Sequence, residues 1–495
     1  MPGLTSSMEE LSAETVALLQ KAQTSGLLTS TGVQGVDLSG LVSLVPVNVP
    51  ARNNTSAFPR VIAGEGSQTA LWRSLLNINS SQASAAVGND YAGSMTLFQE
   101  QDVIAPYRPL AKAGRVTLDA VAVARNYADA LAVAELQTLN QLFIAQDLAI
   151  INGQAWALPS PATPTLATAT TGGSIAASTA VYVKVAARSG INYFDNGLSG
   201  PASTAANITT GTGTATNVVT ASIAAVKGAV AYDWWVGTST SQFYYTTTTV
   251  ASVTITSVPT ANQALPNLPL LSSVLPPSAP PTADGSFSAN YYNGVIASTL
   301  GDYGSAGPVT PGSGVASGAT FIDNGGAALQ LSGGGISLLD TINDDLWASV
   351  QLSPTAYMVN SKQADEISQL ILSSSSALTY LPPTDADART NLAGGGYIGR
   401  YINRAAGGVP VAIEVHPRVA PGTIIARTDR VPFPGSNIGT VFSVRCQYDT
   451  MRFSYQANYN PGVSGGGPRY DFEIRSMETL VNTAPVAQAI ACNVA

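Results

Sequence analysis

Charge is what this sequence has least of. Only 11% of its 495 residues are charged, against about 25% in ordinary globular chains. Such a surface cannot rely on charge density, so much of it is expected to be covered by other chains. The net charge is −8 and no basic run occurs. Affinity for phosphate needs clustered Lys and Arg, which excludes a free nucleic-acid binder. There is a single histidine, His416. That excludes multi-histidine metal sites and a serine triad using any other imidazole; standing before Pro417 at a predicted strand end, His416 reads as structural. Two cysteines, Cys446 and Cys492, sit in no C-x-x-C pair and make no disulfide framework, which fits reduced, cytoplasmic synthesis. The opening residues, MPGLTSSMEELSAETVALLQ, have no basic n-region and no apolar h-region, so no signal peptide is expected. No stretch of eighteen apolar residues is present, and none is expected to span a membrane.

Catalytic strings are equally scarce. GVSGG at 462–466 spells G-x-S-x-G around Ser464, but its setting, NPGVSGGGPRY, lacks the strand-to-helix elbow that exposes such a serine. It reads as a glycine-rich hairpin tip. Asp385 and Asp387 in TDADART imitate the start of a calcium loop, which Arg389 and the missing glycine and glutamate break. The glycine clusters at 64–66, 333–335, 394–396 and 465–467 contain no G-K-[ST], so none is a phosphate loop. Asp344 and Asp345 are adjacent within a predicted helix and face different directions, a poor acid/base dyad. No catalytic residue, cofactor site or metal site is expected, and the chain is not read as an enzyme.

What is present is long elements. Residues 118–151, LDAVAVARNYADALAVAELQTLNQLFIAQDLAII, lack glycine and proline in a chain full of both, and predict one helix. Thr117 and Asp119 would cap and charge its start, Asn152-Gly153 would stop it, and its length would be roughly 50 Å. Ahead of it, residues 1–57 predict a short helix with a Ser7–Glu10 capping box and then an extended, proline-spaced arm. Residues 58–117 predict a long hairpin with two strand-like limbs around a polar middle, where Leu71, Trp72, Tyr91, Leu97 and Phe98 argue against disorder.

Two proline clusters, PSPATP at 159–164 and LPPSAPP at 275–281, bracket an all-β stretch that includes AVYVKVAAR, AYDWWVGTS and SVTITSV. This predicts an inserted immunoglobulin-like sandwich at 158–280, without the antibody-type disulfide. Its aromatics, Trp234, Trp235, Phe243, Tyr244 and Tyr245, read as sandwich core plus a cross-strand pair, with carbohydrate stacking as the alternative. From 281 onward a helix in ISLLDTINDDLWAS, a strand at 355–360, a helix from about 361 to 374 capped by Asn360 or Ser361, and several later strands follow. Helices and antiparallel strands without a βαβ rhythm predict an α+β fold.

Four stretches carry a family resemblance. SQTALWRSLLNINSSQASAAVGNDYAG with APYRPLAKAGRVTLDA resembles an extended E-loop entering a spine helix. NQLFIAQDLAIINGQ resembles the end of that helix, LSPTAYMVNSKQADEISQLIL the opening of an axial domain, and GVPVAIEVHPRVAPGTIIARTDRVPFP the return to a peripheral domain. In this order, over nearly the whole chain, they resemble tailed-phage major capsid proteins of the Hong Kong 97 type. The resemblance implies an arm at 1–57, E-loop at 58–117, spine helix at 118–157, the insertion at 158–280, peripheral domain at 281–345, axial domain at 346–430 and closing strands at 431–495. It implies hexamers and pentamers closing into an icosahedral virion shell around double-stranded DNA, without sequence-specific binding or a membrane. It also implies portal and cement partners, synthesis in the host cytoplasm, and either a separate scaffold protein or the helix at 7–22 in that role. Some such capsids fuse neighbours through an E-loop lysine. The lysines here are Lys21, Lys112, Lys184, Lys227 and Lys362, none between 58 and 106, so a non-covalent shell is expected. The alternatives are an encapsulin-like nanocompartment, an extracellular β-rich adhesin, and a hydrolase resting on Ser464 alone.

Overall fold

A computed structural model describes residues 58–62, 68–77, 99–124, 129–195, 197–239, 241–263, 279–304, 307–309, 315–373, 398–431, 438–456 and 469–495. The expected N-terminal helix and arm, the polar middle of the hairpin, the TDADART loop and the segment around Ser464 lie outside them, as do three of the four glycine clusters, all but 333–335. The chain divides into two compact units, one of Met1–Asn48, Ala113–Asn140 and Phe453–Glu473, the other of Val49–Lys112, Gln141–Arg452 and Ile474–Ala495.

Strand β1 (Arg60–Ile62) precedes an antiparallel hairpin, β2 (Thr69–Asn77) and β3 (Gln99–Pro106), with Thr69 opposite Pro106 and Asn77 opposite Gln99. The two limbs stand on either side of the polar middle, as expected. The two-residue strand period turns Ala70, Trp72 and Leu76 inward, where they pack with Val103, Tyr107, Tyr303 and Val481.

Strand β4 (Arg108–Thr117) leads into α1 (Leu118–Ala124), and α2 (Ala130–Asn152) follows. The Ala120 N–H donates to Thr117 Oγ1 at 3.3 Å, the expected cap. The expected single helix is interrupted, however. Asp129 stands outside the helix and its Oδ1 accepts from the N–H groups of Leu131 (3.0 Å) and Ala132 (3.2 Å), a fresh N-cap. An aspartate side chain competes for backbone N–H groups, so Asp129 starts a helix where propensity alone would run through it; residues 125–128 lie outside the described residues. The far end stops as expected. Gly153 still donates to Ala149 O at 2.9 Å, and a Cβ there would come within 2.3 Å of Tyr292 O, so only glycine fits. Within the first unit, Gly114 is similarly crowded, its missing Cβ being 2.3 Å from the Phe472 ring, and Arg115 pairs with Asp471 at 2.8 Å.

The stretch from 165 to 255 folds as β5 (Thr165–Ala169), β6 (Ala180–Ser189), the short α3 (Gly190–Phe194), β7 (Ala206–Thr209), β8 (Val218–Ser222), β9 (Ala229–Gly237), β10 (Phe243–Thr248) and β11 (Ser252–Ile255). They form two antiparallel sheets, β10–β9–β6–β7 and β11–β8–β5. Val181, Val183, Val185, Val219, Tyr232, Trp234, Val253 and Ile255 fill the space between them. Trp235 points the other way and meets Tyr244 edge-on at 6.0 Å. Trp234, Trp235 and Tyr244 are all fully buried, so the core and cross-strand reading holds and none of the three offers a face to a sugar.

Next come α4 (Val295–Leu300), β12 (Asp302–Gly304), β13 (Gly307–Val309), β14 (Thr320–Asp323), β15 (Leu331–Ser332), β16 (Gly335–Ile336), α5 (Ser337–Val350), β17 (Ala356–Val359), α6 (Ser361–Ser373), β18 (Arg400–Asn403), β19 (Val409–Val415), β20 (Ile424–Arg427), β21 (Phe442–Gln456), β22 (Arg469–Asn482) and β23 (Ala489–Cys492). Asn360 caps α6, its Oδ1 accepting the Lys362 N–H at 3.0 Å. Strands β14–β23–β20–β17–β19–β18 make one six-stranded sheet, and β1–β21–β22–β4 make a four-stranded one. The class is mixed α+β, with one departure from the expected antiparallel pattern. Pairs β14/β23, β17/β19 and β1/β21 are parallel, and α6 lies on the crossover from β17 to β19. Sequence spacing gave no sign of this because β18 intervenes between the helix and its parallel partner.

Candidate assembly interface

The N-proximal strand is tied down by a buried charge. Glu478 on β22 has no exposed side-chain surface and accepts from Arg60 Nη2 (2.7 Å), Tyr292 OH (2.9 Å) and Gln146 Nε2 (3.3 Å). Arg60 also reaches Asp449 at 2.9 Å. Four segments distant in sequence thus meet on one carboxylate: β1, the C-terminal half of α2, the loop before α4, and β22. Burial, and then the charge of Glu478, push the Tyr292 phenol well above its ordinary range. Beyond this anchor β1 carries two exposed apolar side chains, Val61 and Ile62.

The hairpin is anchored in the same manner on one face only. Trp72 Nε1 donates to Asn482 O (3.1 Å), Ser74 Oγ to the same oxygen (2.8 Å), and the Leu75 N–H to Thr483 O (2.8 Å). Its other face presents Leu71, 60% exposed, and Ile104, 41% exposed, directly opposite each other in the register. Arg73 flanks them with Asp102 (2.9 Å) and Glu100 (3.4 Å), an exposed pair of modest worth.

His416 is fully buried, with Nδ1 accepting the Arg418 N–H at 3.0 Å and Nε2 lying 2.9 Å from Asp147 Oδ2 on α2. Burial pushes the Asp147 carboxyl up, while His416 and Arg418 pull it down. The histidine is therefore a structural tie between α2 and the end of β19. Asn152, one turn later, donates to Arg418 O at 2.7 Å. Sequence reading missed Asp147 as its partner, since only its place inside an apolar run marked it. Asp344 and Asp345 are both exposed on α5. Cys446 and Cys492 are free, buried thiols pushed up to about 12 by burial. Among the described residues, no group of three or more His, Cys, Asp or Glu could hold a metal ion, and no helix is long and apolar enough to cross a membrane.

No protein-family profile matches the chain, and no curated protein matches it. Solved structures do match. The capsid asymmetric unit of cyanophage A-1(L) is 7% identical with a TM-score of 0.43, covering 90% of this chain and 93% of that one. The capsid of a native GTA particle is 9% identical with a TM-score of 0.38, covering 90% and 91%. The holo-SrpI encapsulin complex of Synechococcus elongatus is 10% identical with a TM-score of 0.32, covering 90% and 87%.

Proposed function

We propose that this chain is a structural shell protein, the major capsid protein of a tailed phage with a Hong Kong 97-type fold. The β2–β3 ribbon carries the reading. It is a two-stranded sheet of its own, fastened through Trp72 and Ser74 and turning Leu71 and Ile104 to the outside. Two strands alone are marginal in water, and an apolar outer face calls for a partner. In a closed lattice that partner is the next copy of the same chain.

In this reading β2–β3 forms the limbs of the E-loop and α2 is the spine helix. The four-stranded sheet belongs to the peripheral domain and the six-stranded sheet to the axial domain, although β1 and β4 fall in the stretch expected for the E-loop, β14 in that expected for the peripheral domain and β23 among the closing strands. The stretch at 158–280 is an immunoglobulin-like insertion. Its strand neighbours support this: β5 beside β8 and β7–β6–β9–β10 repeat the B–E and C′–C–F–G adjacencies of such sandwiches, while β11, late in the chain, takes the place of strand D. Copies assemble as hexamers and pentamers around double-stranded DNA, which mechanical closure confines; the shell takes scaffold, portal and cement partners, needs no membrane or cofactor, and is made in the host cytoplasm.

Negative-stain electron microscopy of the chain expressed alone and with its neighbouring genes tests this. Closed polyhedral particles tens of nanometres across are expected, and DNA inside them separates a phage shell from an encapsulin-like compartment. A monodisperse monomer in both conditions overturns the reading.

A further inference from the structure

Besides Ala297, which packs into its core cluster, and Arg418, 5.8 Å from the Phe194 ring centroid, two sets of hydrogen bonds fasten the inserted sandwich to the rest of its unit. The first lies at its root. Asn192 Nδ2 donates to Leu198 O (2.7 Å) and Gly285 O (2.6 Å), Ser189 Oγ donates to Ser286 O, and Ser286 Oγ accepts the Leu158 N–H at 2.9 Å. A domain held only where the chain enters and leaves it is free to swing.

The second set is remote from the root in sequence. Asn493, 4% exposed, follows β23, and its Oδ1 accepts the Ala251 N–H at 2.7 Å in the turn between β10 and β11. Its Nδ2 donates to Asp323 Oδ1 at 2.7 Å, and Asp323 Oδ2 accepts the Ala225 N–H at 2.7 Å, between β8 and β9. Asp323 ends β14 and pairs with Cys492 across to β23, so the two side chains project from neighbouring strand ends of the six-stranded sheet. Two separate turns of the sandwich thus hydrogen-bond to this one pair, of which Asn493 is buried and Asp323 exposed. The residue type at 493 is narrowly specified. Its backbone is left-handed, with φ +60°, which asparagine tolerates better than most side chains. It must also donate to a carboxylate and accept from an amide at once, which an aspartate cannot do.

We propose that Asp323 and Asn493 form a clasp that sets the orientation of the inserted sandwich on the six-stranded sheet. Any surface the sandwich presents is then held at one angle and does not swing on its proline-rich connections. The clasp is wholly intramolecular, so it stands or falls independently of the shell reading.

The test is a spin-label distance measurement on the full chain, between Thr168→Cys on the sandwich and Thr341→Cys on α5, both exposed positions. Cys446 and Cys492 are buried and take no label. A single narrow distance distribution is expected. Asn493→Asp should broaden it at least about twofold, by facing two carboxylates across the clasp, and adding Asp323→Asn should narrow it again by restoring one donor. An unchanged width in Asn493→Asp, or broadening that Asp323→Asn does not relieve, overturns the clasp. Hydrogen exchange of the unsubstituted chain decides the matter if the variants do not fold. The Ala225 and Ala251 amides should exchange about a hundredfold more slowly than free turn amides; exchange at the free rate overturns the proposal.

Discussion

Glu478 concentrates the cost of a buried charge on one partner. With no exposed surface it depends on Arg60, Tyr292 and Gln146, whereas Arg60 keeps 24% of its side chain exposed and has Asp449 as a second anion. Breaking a buried pair is costly mainly for the member that stays buried. Arg60→Ala should therefore destabilise the fold by about 3 kcal/mol, and more than Glu478→Gln, which leaves a neutral acceptor for Tyr292; urea midpoints at constant slope compare the two. The buried phenols give a pH prediction with a definite sign. Burial raises Tyr292, Tyr303 and Tyr357 well above their ordinary value, so all three stay neutral in the fold, while in the unfolded chain they ionise near pH 10. Their contribution is fully present below about pH 10 and is lost as pH rises above it toward the folded values. Phenolate absorbance of these buried groups should appear only together with loss of circular dichroism above that pH; absorbance from all tyrosines while the fold persists would contradict their burial.

Helix α2 illustrates how a local signal can be read correctly in part. Its C-terminal stop and the Thr117 cap of α1 were legible because both depend on residues within a turn of the boundary. The break at Asp129 was not, since the flanking alanines and leucines favour helix and one aspartate reads equally well as a surface charge. Its cap makes a direct prediction. Asp129→Ala should cost about 1 kcal/mol and speed exchange of the Leu131 and Ala132 amides, while Asp129→Asn, which keeps the acceptor, should do neither.

For the whole chain, the exposed face of the hairpin separates folding from assembly. Leu71 and Ile104 lie outside the cluster that Trp72 and Leu76 bury. Replacing both with serine should leave the melting temperature of the unassembled chain within about a degree or two, because exposed substitutions cost little, yet reduce particle yield at least about tenfold if this face meets a neighbour. Light scattering during assembly reads one and calorimetry the other. Particles boiled in detergent should also run as a single monomer band, since no lysine lies between 58 and 106; a ladder of multimers would contradict the non-covalent shell.

Strand limbs β2 and β3 and helices α5 and α6 with the Asn360 cap were legible in the sequence. Each depends on side chains a few positions apart, where periodicity and capping act. The parallel pairings, the tie between His416 and Asp147, the Arg60–Glu478 pair across 418 positions and the Asn493–Asp323 pair across 170 were not. Those residues meet because packing brings distant segments together, and the entropy of closing such long loops grows so slowly with their length that many partners are equally reachable. Only the fit of the folded interior selects among them.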